Sequence, residues 1–416
     1  MITFERINIR GIYISLLGIF YVLWGASWDL PSLSFSTTDL FYFLIFFAPI
    51  IFFNKDSHLS TNSIIIYIIY FIFIATHLFI SYLKINNDVD LYYSIIYTIK
   101  LTIIPLTLFS IPLIITSKKQ LNRFLFYFSL TFVPVYLYLH WLYRFYHQET
   151  FVGVIIEPAY SKVGVNSFGF AIAFIVPFLI LYLYINNKNK LIILITLIVI
   201  FVSTYFIESR AMAIVIIAEV ILLYFITSSL KMKRHLFLIF VTTLILSPIY
   251  FSDDIKSFFY KRLYDSDRNQ VILESYKEKY QYNEDYFILN THRGWLLYES
   301  VVGAKDNRFV GNGIGTFRVR ESNQGSKTET HNDWSLILYE TGLLGVILLL
   351  GFLYSRLHIF YFDKKKISQS IYIQASLSSI LGLMIMMFFT NFITTGIFWF
   401  IISLNLAIVN YEKKSY

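Results

Sequence analysis

Long apolar stretches separated by short polar segments make up most of this chain. Each stretch holds about 16 to 25 residues, and about twenty helical residues cross the hydrocarbon core of a bilayer. The stretches are continuous rather than alternating between apolar and polar positions, which favours helices over the strands of a membrane barrel. The pattern predicts an all-α integral membrane protein with about twelve transmembrane helices, at residues 11–28, 38–53, 63–83, 91–115, 124–142, 167–185, 191–207, 211–230, 236–252, 334–354, 371–390 and 393–411.

One polar segment, residues 253–333, is far longer than the others. It separates a first set of nine predicted helices (1–252) from a second set of three (334–416). Membrane helices are usually joined by short turns, and a loop of this length more often carries chemistry or recognition. We therefore expect candidate functional residues in this loop or next to it.

The lysines and arginines of the short connections lie mainly on one side of the predicted bundle. Alternate connections hold 17 of them on one side and four on the other. Because cytoplasmic loops are enriched in Lys and Arg, this bias predicts that both termini are cytoplasmic and that the long loop lies outside. In a Gram-negative bacterium that face is the periplasm, so we expect a multi-pass protein of the bacterial inner membrane.

The composition agrees with a location in the lipid bilayer and argues against several classes of function. Hydrophobic residues make up 57% of the chain and charged residues 14%, against about 25% in soluble domains. The net charge of +8 is mostly the topology signal, since the long loop holds 12 basic and 13 acidic residues, so nucleic-acid binding has no support. Cysteine is absent, which excludes disulfides and thiolate chemistry. Nucleotides are scarce on the outer face, so a reaction there needs a pre-activated substrate delivered by the membrane.

Three motifs lie between residues 208 and 345. The first is Glu208-Ser209-Arg210-Ala211, at the predicted outer end of one helix and the start of the next. The second begins at Arg293-Gly294-Trp295 and runs through Gly311-Asn312-Gly313-Ile314-Gly315-Thr316-Phe317. The third is His331-Asn332-Asp333-Trp334, followed by Glu340-Thr341-Gly342-Leu343-Leu344-Gly345. In order and spacing these motifs resemble the O-antigen polymerase and ligase superfamily (Wzy and WaaL), and Gly164-Val165-Asn166-Ser167-Phe168-Gly169 is a weaker match.

The resemblance implies a membrane glycosyltransferase of the GT-C type, with a partly helical outer loop that caps a cavity. Such an enzyme transfers an oligosaccharide from undecaprenyl diphosphate and requires neither a cofactor nor a metal. An O-antigen polymerase adds the oligosaccharide to another lipid-linked repeat unit, with a chain-length regulator as a further candidate partner. A ligase adds it to lipid A–core. The Tyr- and Ile-rich composition favours the polymerase, although the motifs leave both open.

A polysaccharide flippase or exporter is the alternative from another class of protein. It predicts charged groups spread through the interior of the bundle and two similar halves of the chain. The predicted spans contain few charges, and no repeat of one half in the other is visible around the long loop. The sequence therefore favours the transferase.

His331 is the first candidate for catalysis, because it lies at the membrane-proximal end of the long loop. A histidine titrates near working pH, and the resemblance implies that this one takes a proton from the acceptor hydroxyl. The alternative is a solvated loop histidine beside the N-cap of the next helix, with Asn332 or Asp333 as the cap.

Arg210 and Arg293 are the other two catalytic candidates. A guanidinium can hold a diphosphate leaving group through two parallel hydrogen bonds. Arg210 lies in a minimal outer turn, where the charge bias disfavours a basic residue. The alternatives are an arginine that extends to the membrane interface for Arg210 and an exposed arginine on an amphipathic loop helix for Arg293.

Lys100, Glu340 and Asn166 are candidates for substrate binding. Lys100 lies about ten residues into a predicted span, where a lysine is a functional candidate by default. It can equally extend to the interface or pair within the bundle. Glu340 lies about two turns into its span and is either a tuning group for His331 or an arginine, or a buried, paired carboxylate. Asn166 belongs to the weaker of the matched motifs.

Two further patterns are better explained by local structure. Asp265-Ser266-Asp267 resembles the metal-binding motif of soluble glycosyltransferases, but nucleotide sugars are not expected outside, which favours a solvated turn. The spacing of Gly311, Gly313 and Gly315 is not that of a dinucleotide site, and these glycines indicate tight backbone turns. No cluster has metal-ligand spacing, so we expect no metal site.

Overall fold

The computed structural model describes residues 9–22, 26–30, 33–52, 61–85, 88–146, 162–163, 172–185, 189–206, 210–227, 229–230, 232–234, 236–237, 292–317, 330, 332–361, 370–389, 393 and 395–414. Most of these residues are helical. The helices before the long loop are α1 (Ile9–Val22), α2 (Thr37–Phe52), α3 (Thr61–Lys84), α4 (Asp88–Ile103), α5 (Thr107–Ile114), α6 (Lys118–Tyr146), α7 (Val176–Ile185), α8 (Lys190–Phe206) and α9 (Arg210–Ile226).

Within the predicted outer loop the structure describes helix α10 (His292–Gly303), which continues as a 3-10 turn at Ala304–Asn307. The later helices are α11 (Asp333–Tyr361), α12 (Ile371–Met386) and α13 (Gly396–Lys414). The described part of the loop is therefore partly helical, as the sequence analysis expects. Asp265-Ser266-Asp267 lies outside the described residues.

The fold is helical, as the sequence predicts, and three short strands form a small sheet in addition to the helices. Strand β1 (Ala26–Leu30) pairs antiparallel with β2 (Leu33–Ser36) and with β3 (Lys162–Val163). The apolar run predicted as a helix over 11–28 therefore ends its helix at Val22. The reason is visible in the sequence, because Ser27 to Ser36 alternate polar and apolar residues around Pro31, which is the period of a strand.

Three described helical segments are long and apolar enough to cross a bilayer, namely Tyr67–Lys84, Asp90–Ile114 and Asp333–Arg356. Seven shorter apolar helices accompany them in the described part of the chain. This is the composition of a helical membrane protein, whereas the number of twelve spans stays a prediction.

The bundle is held together by apolar contacts among helices that are distant in the sequence. Helix α1 packs on α6, α5 packs on α13, and α9 packs on α12. Large aromatic side chains fill the interior, and the Tyr21 ring lies 4.8 Å from that of Phe400 between their centroids. Many large apolar side chains, such as Ile50 and Phe225, remain exposed on the outside of the bundle. Lipid tails rather than water suit such a surface.

A proline interrupts the second of the long segments and ties it to its neighbour. Pro105 is the second residue of a 3-10 turn (Ile104–Leu106) between α4 and α5, and as a proline it has no N–H for the carbonyl of Leu101 four residues earlier. The hydroxyl of Tyr70 on α3 donates to that carbonyl at 2.9 Å, and the hydroxyl of Tyr67 donates to the next carbonyl, that of Thr102, at 2.9 Å. Two tyrosines therefore replace hydrogen bonds that would be expensive to lose in lipid.

Candidate functional site

Helix α11 is interrupted at Gly342, where φ is 66° and ψ is −167°. Glycine adopts this conformation readily, while other residues are strained in it. An interruption leaves the carbonyls just before it and the amides just after it without their usual partners four residues away. In hydrocarbon each such group costs several kcal/mol unless another partner bonds it. Here the partner is the segment Arg308–Gly315, which we call the glycine turn.

The first half of the glycine turn bonds the amides that follow the interruption. The backbone N–H of Leu343 donates to the carbonyl of Arg308 at 2.8 Å, and that of Leu344 donates to the carbonyl of Phe309 at 3.2 Å. The leucines of the third motif therefore bond the glycine turn through their backbone N–H groups.

The second half of the glycine turn bonds the residues that precede the interruption. The backbone N–H of Asn312 donates to the carbonyl of Tyr339 at 2.9 Å, and that of Gly313 donates to the carbonyl of Glu340 at 2.8 Å. The N–H of Gly315 donates to the Oε1 atom of the Glu340 side chain at 2.9 Å. The second and third sequence motifs are thus joined by backbone and carboxylate hydrogen bonds into one assembly.

The interpretation of the three glycines as tight-turn residues is confirmed. Their φ angles are 78° at Gly311, 101° at Gly313 and 80° at Gly315. Gly313 also lies against helix α3, where a Cβ atom on it would be 2.4 Å from Oγ and 2.6 Å from the backbone nitrogen of Ser81. Both the backbone angle and this close approach therefore require glycine at position 313.

On its other side the glycine turn binds helices α3 and α4. The carbonyl of Ile314 accepts hydrogen bonds from the hydroxyls of Ser81 on α3, at 2.8 Å, and Ser94 on α4, at 2.5 Å. The Ile314 side chain is buried against Ile74 and Leu101 of the same two helices. The glycine turn is therefore packed between the α3–α4 pair on one side and α11 on the other.

Lys84 and Asn312 hold the outer edge of the turn. The Lys84 Nζ atom donates to the Asn312 side-chain oxygen at 3.0 Å and to the Gly311 carbonyl at 3.3 Å. The Asn312 amide in turn donates to the carbonyls of Gly303 and Tyr339. Lys84 is one of the four basic residues of the predicted outer connections, and its sequence position does not indicate this role, because its partner lies more than 200 residues away.

The residues on both sides of His331 are anchored. Asn332, rather than Asp333, is the N-cap of α11, since its side-chain oxygen accepts the N–H of Ser335 at 3.0 Å. Asp333 is fully buried, donates its N–H to the carbonyl of Met387 and accepts the N–H of Ile393 through Oδ2. The connection after α12 therefore binds the start of α11. His331 itself lies outside the described residues, so its role as a base stays a prediction.

The two candidate arginines are placed by their backbones only. Arg210 is the first residue of α9, and Arg293 is the second residue of α10. Helix α10 packs on α11, where Leu296 shares a buried cluster with Leu336. The helix of Arg293 is therefore brought to the first turns of α11. Asn166 lies outside the residues that the structure describes, and the meeting of these groups around a substrate stays a prediction.

Glu340 and Lys100 have different surroundings. Glu340 is 5% exposed, and its carboxylate accepts the N–H of Gly315. Of its two interpretations from the sequence, this fits the buried, paired carboxylate. Lys100 is exposed on the last turn of α4 and forms no hydrogen bond or ion pair with another described residue. Contact of either with a substrate stays a prediction.

Two cavities adjoin helix α11. A cavity of about 170 Å³ lies beside the glycine turn and is lined by Ile314, Glu340 and Thr341 together with the aromatic residues Tyr70, Tyr97 and Trp399, among others. A wider cleft of about 690 Å³ runs between α9, α11 and α12, with an apolar lining that includes Trp334 and Phe388. Both have room for apolar groups.

Glu219 on α9 is a residue that the sequence analysis missed. It is 1% exposed, and neither carboxylate oxygen has a hydrogen-bond partner among the described residues. Its side chain fills the space beside Gly382 on α12, where a Cβ atom would be 2.2 Å from Oε1. A lone acidic residue inside the predicted span 211–230 was the available signal, since such residues are rare in lipid and usually functional or paired.

Comparison of the chain with protein-family profiles finds no match, and comparison with curated proteins finds none either. The likeness to the O-antigen polymerase and ligase superfamily therefore rests on the motifs of the sequence.

Proposed function

We propose that this protein is an integral-membrane glycosyltransferase of the O-antigen polymerase type. The observation that carries the proposal is the insertion of the glycine turn, from the second motif, into the interruption of α11, which the third motif creates. The same helix begins at Asp333, two residues after His331. Two stretches that resemble the family in sequence are therefore parts of one assembly, as expected if they serve one site.

In the proposed reaction an oligosaccharide on undecaprenyl diphosphate is the donor, and a sugar hydroxyl of another lipid-linked repeat unit is the acceptor. The bond between the anomeric carbon and the phosphate oxygen breaks, and the acceptor oxygen bonds to that carbon. His331 takes the hydroxyl proton. Arg210 and Arg293 stabilise the negative charge of the departing diphosphate, which keeps the electron pair of the broken bond. The step balances without a cofactor.

Glu340 holds the glycine turn in place next to a cavity, and we include both in the proposed site. Its carboxylate fixes Gly315, its carbonyl fixes Gly313, and the side chain lines the cavity next to the turn. We assign it the task of keeping the turn in place while substrate binds. Lys100 and Asn166 are further candidates for contact with the lipid-linked substrate.

Reconstitution tests the proposal directly. The purified full-length protein in lipid nanodiscs is incubated with undecaprenyl diphosphate-linked repeat units, and chain length and released undecaprenyl diphosphate are measured. We expect longer chains from the native protein and none from a His331→Ala variant that inserts into the membrane normally. No chain extension by the native protein, or extension by the variant equal to it, would overturn the proposal.

A ligase differs from a polymerase only in its acceptor, so the same assay separates them. Transfer to added lipid A–core, with no extension of lipid-linked units, would identify the ligase. In cells, loss of a polymerase leaves single repeat units on lipid A–core, whereas loss of a ligase leaves none attached.

A further inference from the structure

The side-chain amide of Asn312 lies where the glycine turn, helix α10 and helix α11 meet, beside the end of α3. Its nitrogen donates to the carbonyl oxygen of Gly303, the last residue of α10, at 3.1 Å, and to that of Tyr339 on α11 at 3.2 Å. Its oxygen accepts from the Nζ atom of Lys84 on α3 at 3.0 Å and from the side-chain nitrogen of Asn307 at 2.8 Å. One amide therefore connects three helices to the glycine turn.

The orientation of this amide follows from the chemistry of its partners. A lysine ammonium only donates hydrogen bonds and a carbonyl oxygen only accepts them, so the amide oxygen faces Lys84 and the amide nitrogen faces Gly303. The amide has two N–H groups and one oxygen with two lone pairs, and each of these four positions has a partner here. An aspartate has the same shape, but its second oxygen would face two carbonyl oxygens. Of these two side chains, only asparagine therefore fits the junction.

Helix α10 is held against α11 near its middle and at its carboxyl-terminal end. Near the middle, Leu296 shares a buried cluster with Leu336 of α11. At the end, the Gly303 carbonyl is bonded by Asn312. At 1.5 Å per residue, Gly303 lies about 10 Å from Leu296 in one direction along the helix and Arg293 lies about 5 Å from it in the other. If the Gly303 end were released, α10 could pivot about Leu296, and the Arg293 end would move by about half as much.

We infer that Asn312 is a positioning residue for the proposed transferase site. Its amide fixes the carboxyl-terminal end of α10 on α11 and thereby sets the place of Arg293 near the other end. The consequence for the reaction rests on the proposed function, in which Arg293 stabilises the departing diphosphate. A displacement of about 1 Å in such a site can cost about a hundredfold in rate. The placement of α10 by Asn312 does not depend on that function.

Two variants separate the hydrogen bonds of this amide. Asn312→Asp keeps an acceptor oxygen for Lys84 and Asn307, and it keeps the backbone N–H that bonds Tyr339. It loses the two side-chain donors that bond the carbonyls of α10 and α11. Lys84→Met is the matched control, because it removes one bond to the amide oxygen and leaves both of those donors in place.

The position of α10 is measured without any substrate, on the full-length protein in lipid nanodiscs. The chain has no cysteine, so introduced cysteines carry the only spin labels. The pair Val301→Cys and Ile347→Cys reports on α10 relative to α11, and the pair Phe79→Cys and Ile347→Cys reports on α3 relative to α11. All three side chains are exposed. Distance distributions from double electron–electron resonance are compared among the otherwise native protein, Asn312→Asp and Lys84→Met.

We expect Asn312→Asp to shift and broaden the distance between positions 301 and 347 and to leave the distance between 79 and 347 unchanged. The hydrogen-exchange protection of residues 296–303 should fall about tenfold in the same variant, because donors are lost and two carbonyls face an oxygen. Lys84→Met should keep the native distribution between 301 and 347. An unchanged distance between 301 and 347 in Asn312→Asp, an equal displacement in Lys84→Met, or a change of both distances in Asn312→Asp would overturn the inference.

Chain extension by Asn312→Asp tests the consequence for the proposed site. A misplaced Arg293 stabilises less of the charge that develops as the diphosphate leaves, so kcat should fall about tenfold while KM changes little. A loss that lies in KM instead would contradict the positioning of Arg293. A displaced α10 in a protein whose native form transfers no glycan would reject the proposed function and would still support the placement of α10 by Asn312.

Discussion

Glu340 accepts the backbone N–H of Gly315 through its carboxylate at 2.9 Å, although the two residues belong to different motifs of the sequence. Its carbonyl accepts the N–H of Gly313 as well. One residue of a membrane helix therefore holds two positions of a turn that follows a loop helix. The arrangement connects the long loop to the helical bundle.

Replacing Gly313 with alanine should abolish activity and lower thermal stability. The new Cβ atom would lie 2.4 Å from Oγ of Ser81, on a residue whose φ of 101° already disfavours a side chain. Gly351→Ala is the matched control, since no atom lies within 4 Å of its Cβ position and it sits in the same helix as the interruption. The test measures chain extension and the melting temperature of both variants. A Gly313→Ala protein as stable and active as Gly351→Ala would contradict the docking of the turn.

Replacing Glu340 with glutamine separates positioning from charge. Glutamine keeps an oxygen that can accept the N–H of Gly315, so we expect Glu340→Gln to fold and to retain most activity. Glu340→Ala loses the acceptor and leaves the buried N–H of Gly315 unpaired, so it should be destabilised by about 1 to 3 kcal/mol. Denaturation and chain extension are measured on both. Loss of activity in a normally stable Glu340→Gln would assign the carboxylate charge to the chemistry instead.

Removing the Tyr70 hydroxyl should destabilise the protein, because Pro105 has no N–H to replace it at the Leu101 carbonyl. In Tyr70→Phe the Leu101 carbonyl loses its donor, and we expect a loss of about 1 to 3 kcal/mol in unfolding free energy. Tyr82→Phe, on the exposed side of the same helix, is the control and should change little. Equal stabilities of the two variants would show that the Leu101 carbonyl finds another partner.

Enlarging Gly382 should destabilise the contact between α9 and α12. A Cβ atom there would overlap the Glu219 carboxylate, so Gly382→Ala should lower stability by about 1 to 3 kcal/mol, as overpacking usually does. Adding Glu219→Ala in the same protein removes the overlap and should restore part of the loss. A double-mutant cycle on unfolding free energy measures this coupling. Strictly additive effects of the two substitutions would be inconsistent with their contact.

Replacing Arg210 with lysine should severely impair chain extension. Lysine keeps the positive charge but cannot make the paired, planar hydrogen bonds that suit a diphosphate. Protein level and membrane insertion should be normal, because lysine can also extend to the interface. Initial rates of undecaprenyl diphosphate release are compared with those of the native protein. Near-normal rates would indicate that Arg210 only extends to the membrane interface and does not stabilise the leaving diphosphate.

Local patterns in the sequence determined the helical character of the described chain, with helices long and apolar enough to cross a bilayer, and the tight turns at Gly311, Gly313 and Gly315. They also indicated a helix start at Asn332 or Asp333. Such features depend on neighbours along the chain, and hydropathy, positive φ and capping can be recognised within a few residues. The strand at Ala26–Leu30 also had a local signal, which the continuous apolar run concealed.

Only the tertiary structure decided what fills the interruption at Gly342, which tyrosine replaces the bond lost at Pro105 and what surrounds Glu219 and Asn312. Each of these depends on a partner from another helix or from the loop, and the contact between Lys84 and Asn312 spans 228 positions. A lipid-exposed helix and a helix that holds a turn have the same hydropathy. Their difference lies in which backbone groups lack a local partner, and packing alone brings the distant group that satisfies them.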